Sequence, residues 1–340
     1  MRISTSGRWA LAGVLLFPLA ACGGGDDGGD DGGDSVKVVA QSLDAGSNGP
    51  FIAGTAKGFF KDQGVDVEVG FAEDPIPALV SGSAQVGILE LPYLAQAVDE
   101  GVDLVAFAGY RCVEPFYIAV GSDIKDASDL KGKNIFLDGL KGAPPVDLRL
   151  DLMKKAGWDL TDVDVNLVQI PGDSAGPVEQ FAEGQLDATI FYREEYAQIK
   201  KAGGQVVVTE LRLWPNEVMV ADRSFLKKNP ELIENFVTGM LNSAKWFKDL
   251  SHRDEFLKMA TKQDYPTKDA KSDYESGPYL FCENLYLEPE SANAQLKTYE
   301  APGNFTLDDL AVLDQLEAAQ KSVGMDNSPP PPLEGTGLPE

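Results

Sequence analysis

Two stretches of this chain carry one order of elements: "ALVSGSAQVGILELPYLAQAVDEGVDLV" from Ala78 and "QFAEGQLDATIFYREEYAQIKKAGGQVV" from Gln180. Laid together without a gap, Gly82 meets Gly184, Ile88 meets Ile190, Ala95 meets Ala197, Gln96 meets Gln198, Gly101 meets Gly203 and Val105 meets Val207. Each reads as a helix end, a glycine, a short apolar run, an acidic or aromatic cluster, a second helix, a glycine and another apolar run. The surrounding sequence keeps the same rhythm. "VKVVA", "VDVEVGF", "QVGIL" and "LVAFAG" are strand-like, and "PFIAGTAKGFFKDQG", "IPALVSG" and "YLAQAVDEG" between them are helix-like. Short apolar strands separated by helices of this size mean βαβ units, hence a mainly parallel sheet covered on both faces. "YRCVEP" interrupts, and the alternation restarts with "FYIAV", "NIFL", "VNLVQI", "DATIF" and "QVVV" as strands. The chain therefore builds one α/β unit and then a second, and the two copies are equivalent edges of two lobes. At 340 residues and 43% apolar content there is chain enough for both. From Ser224 onward the pattern is helical. Asn229 and Pro230 start a helix whose Leu232, Phe236, Val237, Met240, Leu241 and Phe247 recur at core-facing spacing.

The ends read differently. "MRISTSGRW" with two arginines, then "ALAGVLLFPLAA", then Cys22, form a secretory leader over residues 1–21. Leu19-Ala20-Ala21-Cys22 resembles the bacterial lipobox, in which the cysteine is acylated and becomes the mature N-terminus; an ordinary leader with a chance cysteine is the alternative. Acyl chains at about 0.8 kcal/mol per buried methylene hold a protein at a membrane. "GGGDDGGDDGGD" completes a tether over 22–34, floppy through glycine and extended by charge repulsion. A calcium loop is the alternative there, but the tract lacks the apolar position such turns stack on. Residues 327–340 form a Pro-rich tail. The net charge is −25, and loss of the leader removes Arg2 and Arg8 but no acid, giving −27. A surface so acidic repels nucleic acid and anionic lipid. Cys112 and Cys282 remain, either as a disulfide or as two buried thiols. With one histidine, His252, and no ligand spacing among the cysteines, no metal or other cofactor is expected.

The segments "PFIAGTAKGFFKDQGVDVEV", "ALVSGSAQVGI", "DLKGKNI" and "LDAT" resemble the substrate-binding proteins of ABC importers, in the branch that handles nitrate, alkanesulfonates, taurine and the pyrimidine precursor of thiamine. The resemblance covers roughly residues 36–221. It implies a two-lobe, type II periplasmic-binding-protein-like α/β fold, each lobe a mixed, mainly parallel sheet flanked by helices. Lobe 1 would comprise 35–109 and 218–326, and lobe 2 would comprise 110–217. Crossing strands would lie near Gly109–Pro115 and Thr209–Glu217, with a small-molecule ligand in the cleft between the lobes. It also implies an extracytoplasmic monomer that hands its ligand to an ABC permease and ATPase complex after hinge closure.

Ligands of open α/β sheets sit beyond the carboxyl ends of the strands. That rule selects Asp44, Asn48, Glu90 and Tyr93 in the first unit, and Asp138, Gly142, Ser174, Tyr192, Glu194 and Glu195 in the second. Arg111 lies in a crossing, where Glu114 is available to pair with it, and Tyr93, Tyr110, Tyr192 and Trp214 serve either as core or as walls for a flat ligand. Glu90, Asp138, Glu194 and Glu195 outnumber Arg111, Lys141 and Arg193, which suits a nitrogen-containing, aromatic ligand better than nitrate or a sulfonate. "IFYREEY" also looks like the aromatic and acidic stretch of thiamine-pyrimidine binders. A membrane-tethered ligand sensor would use the same cleft. "GDSAG", Gly172 to Gly176, matches G-x-S-x-G, but Pro171 and Pro177 flank it and His252 sits in a charged helix start. A secreted serine hydrolase is the weaker alternative, and no enzymatic activity is expected.

Overall fold

The computed structural model describes residues 34–42, 44–141, 143–170, 176–265, 274, 277–330 and 338. The leader, Cys22, the tether through residue 33, Gly142, Ser174 and most of the Pro-rich tail lie outside the described residues. The strands are β1 (Asp34–Ala40), β2 (Val65–Phe71), β3 (Val86–Glu90), β4 (Leu104–Val120), β5 (Asn134–Phe136), β6 (Asn166–Leu167), β7 (Ala188–Phe191) and β8 (Gln205–Asp222). Interleaved with them are α1 (Gly49–Lys57), α2 (Ile76–Val80), α3 (Leu91–Asp99), α4 (Pro144–Lys155), α5 (Pro177–Ala182) and α6 (Tyr196–Lys201). Then follow α7 (Arg223–Lys228), α8 (Pro230–Lys248), α9 (Arg253–Lys262) and further helices over Pro289–Thr298, Leu307–Leu310 and Asp314–Ser322.

All eight strands join in the order β2-β1-β3-β8-β4-β7-β5-β6. β1 pairs parallel with β2 and β3, and β5 pairs parallel with β6 and β7. Each parallel trio then meets an antiparallel neighbour: β8 lies beside β3, and β4 beside β7. The two half-sheets thus have one design, and the repeated stretches occupy equivalent places in it, α2-β3-α3-β4 and α5-β7-α6-β8. Their aligned glycines have left-handed backbone: Gly82 and Gly184 at φ 71° and 73°, Gly101 and Gly203 at 91° and 78°. Each turns the chain out of a helix in a conformation that a side chain would strain.

The sequence suggests short strands on either side of "YRCVEP", yet β4 runs unbroken for 17 residues and β8 for 18. They pair antiparallel from Leu104↔Asp222 to Val120↔Gln205 and carry the sheet from one half into the other. The polar interruption is real, but it changes the ladder rather than ending it. Between Val113↔Leu213 and Arg111↔Glu217 the register slips, so β8 holds extra residues that include Pro215. A bulge is where a residue lacking an N–H is tolerated within a sheet.

Period-two burial shows why the sheet needs cover on both faces. Val105, Met219 and Ala221 point into one apolar cluster with Phe51, Phe236 and Phe247, from α1 and α8. Ala106, Val218 and Val220 point into the other, with Leu91 and Leu94 of α3. In the second half-sheet Ile118 and Val120 pack with Leu152 and Met153 of α4, while Tyr117 and Ala119 pack with Phe181 of α5 and Ile199 of α6. Of the two states open to the cysteines, the structure has the bonded one. Cys112 of β4 and Cys282 form a disulfide with their Cα atoms 5.9 Å apart.

Candidate functional site

A cavity of about 500 Å³ opens where the two half-sheets and their shared strands meet, and both halves line it. Asp44, Gly46, Ser47 and Glu90 come from the first half, following the carboxyl ends of β1 and β3. Tyr192, Arg193 and Glu194 follow β7 in the second half, and Arg111, Glu114, Pro115 and Asn216 come from the crossing part of β4 and β8. Tyr117 and Leu211 extend the wall, and Gly277, Tyr279 and Leu280 close it from the segment preceding Cys282. A larger groove of about 610 Å³ runs between α4 and β6, lined by Leu140, Leu150, Leu160 and Leu167 among others. All its lining residues belong to the second half-sheet, so it lacks the two-sided wall that makes the first cavity the better candidate.

Asp44 shapes its own loop. Its carboxylate accepts the Ser42 hydroxyl and the Ser47 N–H, the latter at 2.6 Å. Asn48 is buried and donates from Nδ2 to the Ser42 and Asp44 carbonyls, both at 2.9 Å, which fixes the loop from behind. Tyr110 supports the same loop. It is buried between Phe51 and Phe281, and its hydroxyl donates to the Ser47 carbonyl at 2.6 Å. Neither Asn48 nor Tyr110 lines the cavity.

Arg111 and Glu217 are opposite residues of β4 and β8, with Nε 3.8 Å from Oε2. Glu114 instead accepts a hydrogen bond from Asn216 Nδ2 at 3.1 Å. The expected Arg111–Glu114 pair is therefore replaced by the cross-strand pair, because the bulge brings Glu217 opposite Arg111. Burial pushes the Glu114 carboxyl up to about 7, against the pull of Arg111 and Arg149. Burial likewise raises Glu90 and Glu217, with Arg111 opposing in both. For Arg111 burial works against the charge, but Glu217, Glu114 and Asp44 outweigh it and hold the guanidinium charged.

Among the sequence-selected residues, the structure brings Asp44, Glu90, Arg111, Tyr192 and Glu194 together at the cavity. Glu195 sits just behind and accepts the Tyr192 N–H at 2.8 Å, which closes the Arg193–Glu195 turn. Asp138 is turned to Arg149, at 3.3 Å. Tyr93 is 50% exposed and away from the cavity. Trp214 is buried in the bulge edge-on to Phe116, and with the Gln295 amide oriented to satisfy both groups its indole N–H donates there at 3.2 Å. Sequence reasoning passed over Asn216, Tyr117, Leu211 and Tyr279. The first three lie on strands whose facing side depends on the bulge, and the last reaches the site from 60 or more residues away with only the neighbouring Cys282 as a signal. His252, in a turn at Leu250–His252, stacks on Trp246 with ring centroids 4.3 Å apart and takes no part in the cavity. Among the described residues there is no cluster of His, Cys, Asp and Glu fit to hold a metal, and no helix is long and apolar enough to cross a membrane.

Two parallel trios of strands, exchanged through two long antiparallel strands and facing one polar cavity, make a periplasmic-binding-protein fold. Solved structures share it. The periplasmic sulfonate-binding protein SsuA of Methylobacillus flagellatus KT matches with TM-score 0.63 and 18% identity, over 86% of this chain and 95% of the other. The periplasmic nitrate-binding protein NrtA of Synechocystis PCC 6803 matches with TM-score 0.58 and 16% identity, over 85% and 89%. The sequence narrows the class further. The NMT1/THI5-like family model matches residues 47–250, and the chain belongs to that family. YtlA of Bacillus subtilis (strain 168), a binding protein by name, is 25% identical over 251 residues, 71% of this chain and 72% of its own.

Proposed function

We propose that the protein is an extracytoplasmic solute-binding lipoprotein that captures a small organic, nitrogen-containing ligand and delivers it to an ABC permease. The observation that carries this reading is the cavity walled by both half-sheets and by the strands joining them. The segments 35–109 with 218–326, and 110–217, act as two lobes that close on the solute about the irregular stretch of β4 and β8. Closure requires a solute that touches both lobes, since only interactions stronger in the closed state than in the open one shift the equilibrium. Sulfonate- and nitrate-binding proteins of the same fold support transport as the role. Arg111 and Arg193 favour a second reading in which the solute is nitrate, a sulfonate or taurine.

The test is a melting screen followed by scattering. A true ligand at a hundredfold excess over its dissociation constant is expected to add about 2.7 kcal/mol of stability and to shrink the radius of gyration. If no solute changes either quantity, the reading fails. If taurine or nitrate acts while aminopyrimidines and other nitrogen heterocycles do not, the anion reading replaces the first. The anchor is tested separately: the wild-type chain expressed in a bacterium is expected in the membrane fraction, and Cys22→Ser in the released, soluble fraction. Equal partitioning of the two chains removes the lipid anchor.

A further inference from the structure

We propose that the solute is an organic cation bearing N–H donors, of the protonated amine or amidinium class, held by carboxylates drawn from both half-sheets. The inference rests on the solute-binding reading above and specifies the charge of what is bound.

Asp44, Glu90, Glu114 and Glu194 reach the cavity, and Arg111 and Arg193 are the cations that line it. Both guanidiniums have neighbours in the wall. Arg111 faces Glu217 at 3.8 Å, an ion pair in which neither Arg111 Nε nor Glu217 Oε2 makes a hydrogen bond, and Arg193 lies over the Tyr279 ring, 5.0 Å from its centroid. Among the described residues, Glu90 and Glu194 have neither an ion pair nor a hydrogen bond to their carboxylates. Five carboxylates, counting Glu217 behind Arg111, therefore stand against three guanidiniums, counting Arg149 near Glu114. Burial raises the pKa of Glu90 and of Glu114, and Arg111 offsets it only in part. A concave, low-dielectric wall concentrates such a field, so an anion would enter against it and a cation with it. Carboxylates only accept hydrogen bonds, which selects a cation that can donate them. Tyr117, Tyr192 and Tyr279 add aromatic surface on which a delocalised cation can lie. Asp44 and Glu90 belong to one half, Glu194 to the other, and Glu114 to the crossing between them. A cation between them supplies the two-sided attachment that closure needs.

The affinity will then depend on pH through Glu114. It is faced by Arg111 on its own strand, Glu217 on β8, Arg149 on α4, Glu90 at the end of β3, and the phenols of Tyr117, Tyr192 and Tyr299. A cation binds the ionised carboxylate, so below about pH 7 Glu114 must first release a proton.

Three probes with one ring and three charges test the proposal by titration calorimetry: benzamidine, benzamide and benzenesulfonate. Benzamidine is expected to bind at least about tenfold more tightly than benzamide, and benzenesulfonate not at all. Its affinity should fall roughly tenfold between about pH 7.5 and about pH 5.5. Glu90→Gln and Glu114→Gln should each weaken benzamidine by about tenfold and benzamide by clearly less. Glu114→Gln should melt no lower than wild type at alkaline pH without ligand, which separates lost binding from lost folding. A silent benzamidine titration, equal affinities for benzamidine and benzamide, or binding of benzenesulfonate overturns the proposal. A sulfonate that binds and contracts the protein overturns the charge assignment alone and leaves the solute-binding reading in place.

Discussion

Reduction of the Cys112–Cys282 bond is expected to lower the melting temperature by roughly 5 °C, given about 1.5 °C per kcal/mol for a chain of this size. The two cysteines lie 170 residues apart in sequence. Closing so long a loop removes entropy from the unfolded chain worth about 5 kcal/mol at most, and measured values fall more often between about 2 and 4 kcal/mol. The bond also lies between two working parts of the protein. Cys112 stands next to Arg111 in the crossing stretch of β4, while Cys282 follows Tyr279 and Leu280 of the cavity wall. Scanning calorimetry with and without reductant, and on Cys112→Ala with Cys282→Ala, measures the effect. Coincident melting curves for the oxidised and reduced proteins would show that the cross-link contributes nothing to stability.

Arg111→Met should cost about 2–4 kcal/mol at neutral pH. A mostly buried ion pair adds little net stability, but removing one member leaves the other charged and uncompensated. The side chains of Arg111 and Glu217 are only 19% and 14% exposed, and Glu90 and Asp44 add to the stranded negative charge. The loss should be largest at alkaline pH. Burial already raises Glu217, and without Arg111 it rises further, so the folded state binds a proton more readily than the unfolded state does. Stability then falls as pH rises from the unfolded carboxylate value through the raised one, and acidification recovers it. Arg111→Met combined with Glu217→Gln should regain most of the loss and flatten its pH dependence. Urea titrations of the single and double variants across pH decide the matter: a double variant no more stable than the single one would mean that the charge of Glu217 is not the cause.

The fold was largely legible because alternation of apolar segments, glycine stops and strand length are local signals. The βαβ order, the equivalence of the two repeated stretches and the helical C-terminal part all follow from them. The strand-exit rule reached Asp44, Glu90, Tyr192 and Glu194, since a strand's direction fixes where its end loop lies. It also selected Asp138, which turns aside to Arg149, and Asn48, which holds a loop rather than facing the cavity. Both are polar residues whose orientation is set by the partners they find once the chain is folded. The crossing was harder to read. Its polar residues suggest a break, whereas the ladder continues through a bulge, and that bulge decides that Arg111 meets Glu217 while Glu114 meets Asn216. Tyr110 and Trp214 illustrate the ambiguity of aromatic residues: apolar area drew both into packing, with one hydrogen bond each for the polar atom.

The two apolar clusters of the second half-sheet take their buried residues from Phe116 to Val208, a single continuous run of chain. The main cluster of the first half draws on Val36 at one end and Ala319 at the other. During synthesis, therefore, the later-built half has all its buried partners in hand first, while the earlier-built one waits with its apolar strands uncovered until α8, α9 and the helix at Asp314–Ser322 arrive.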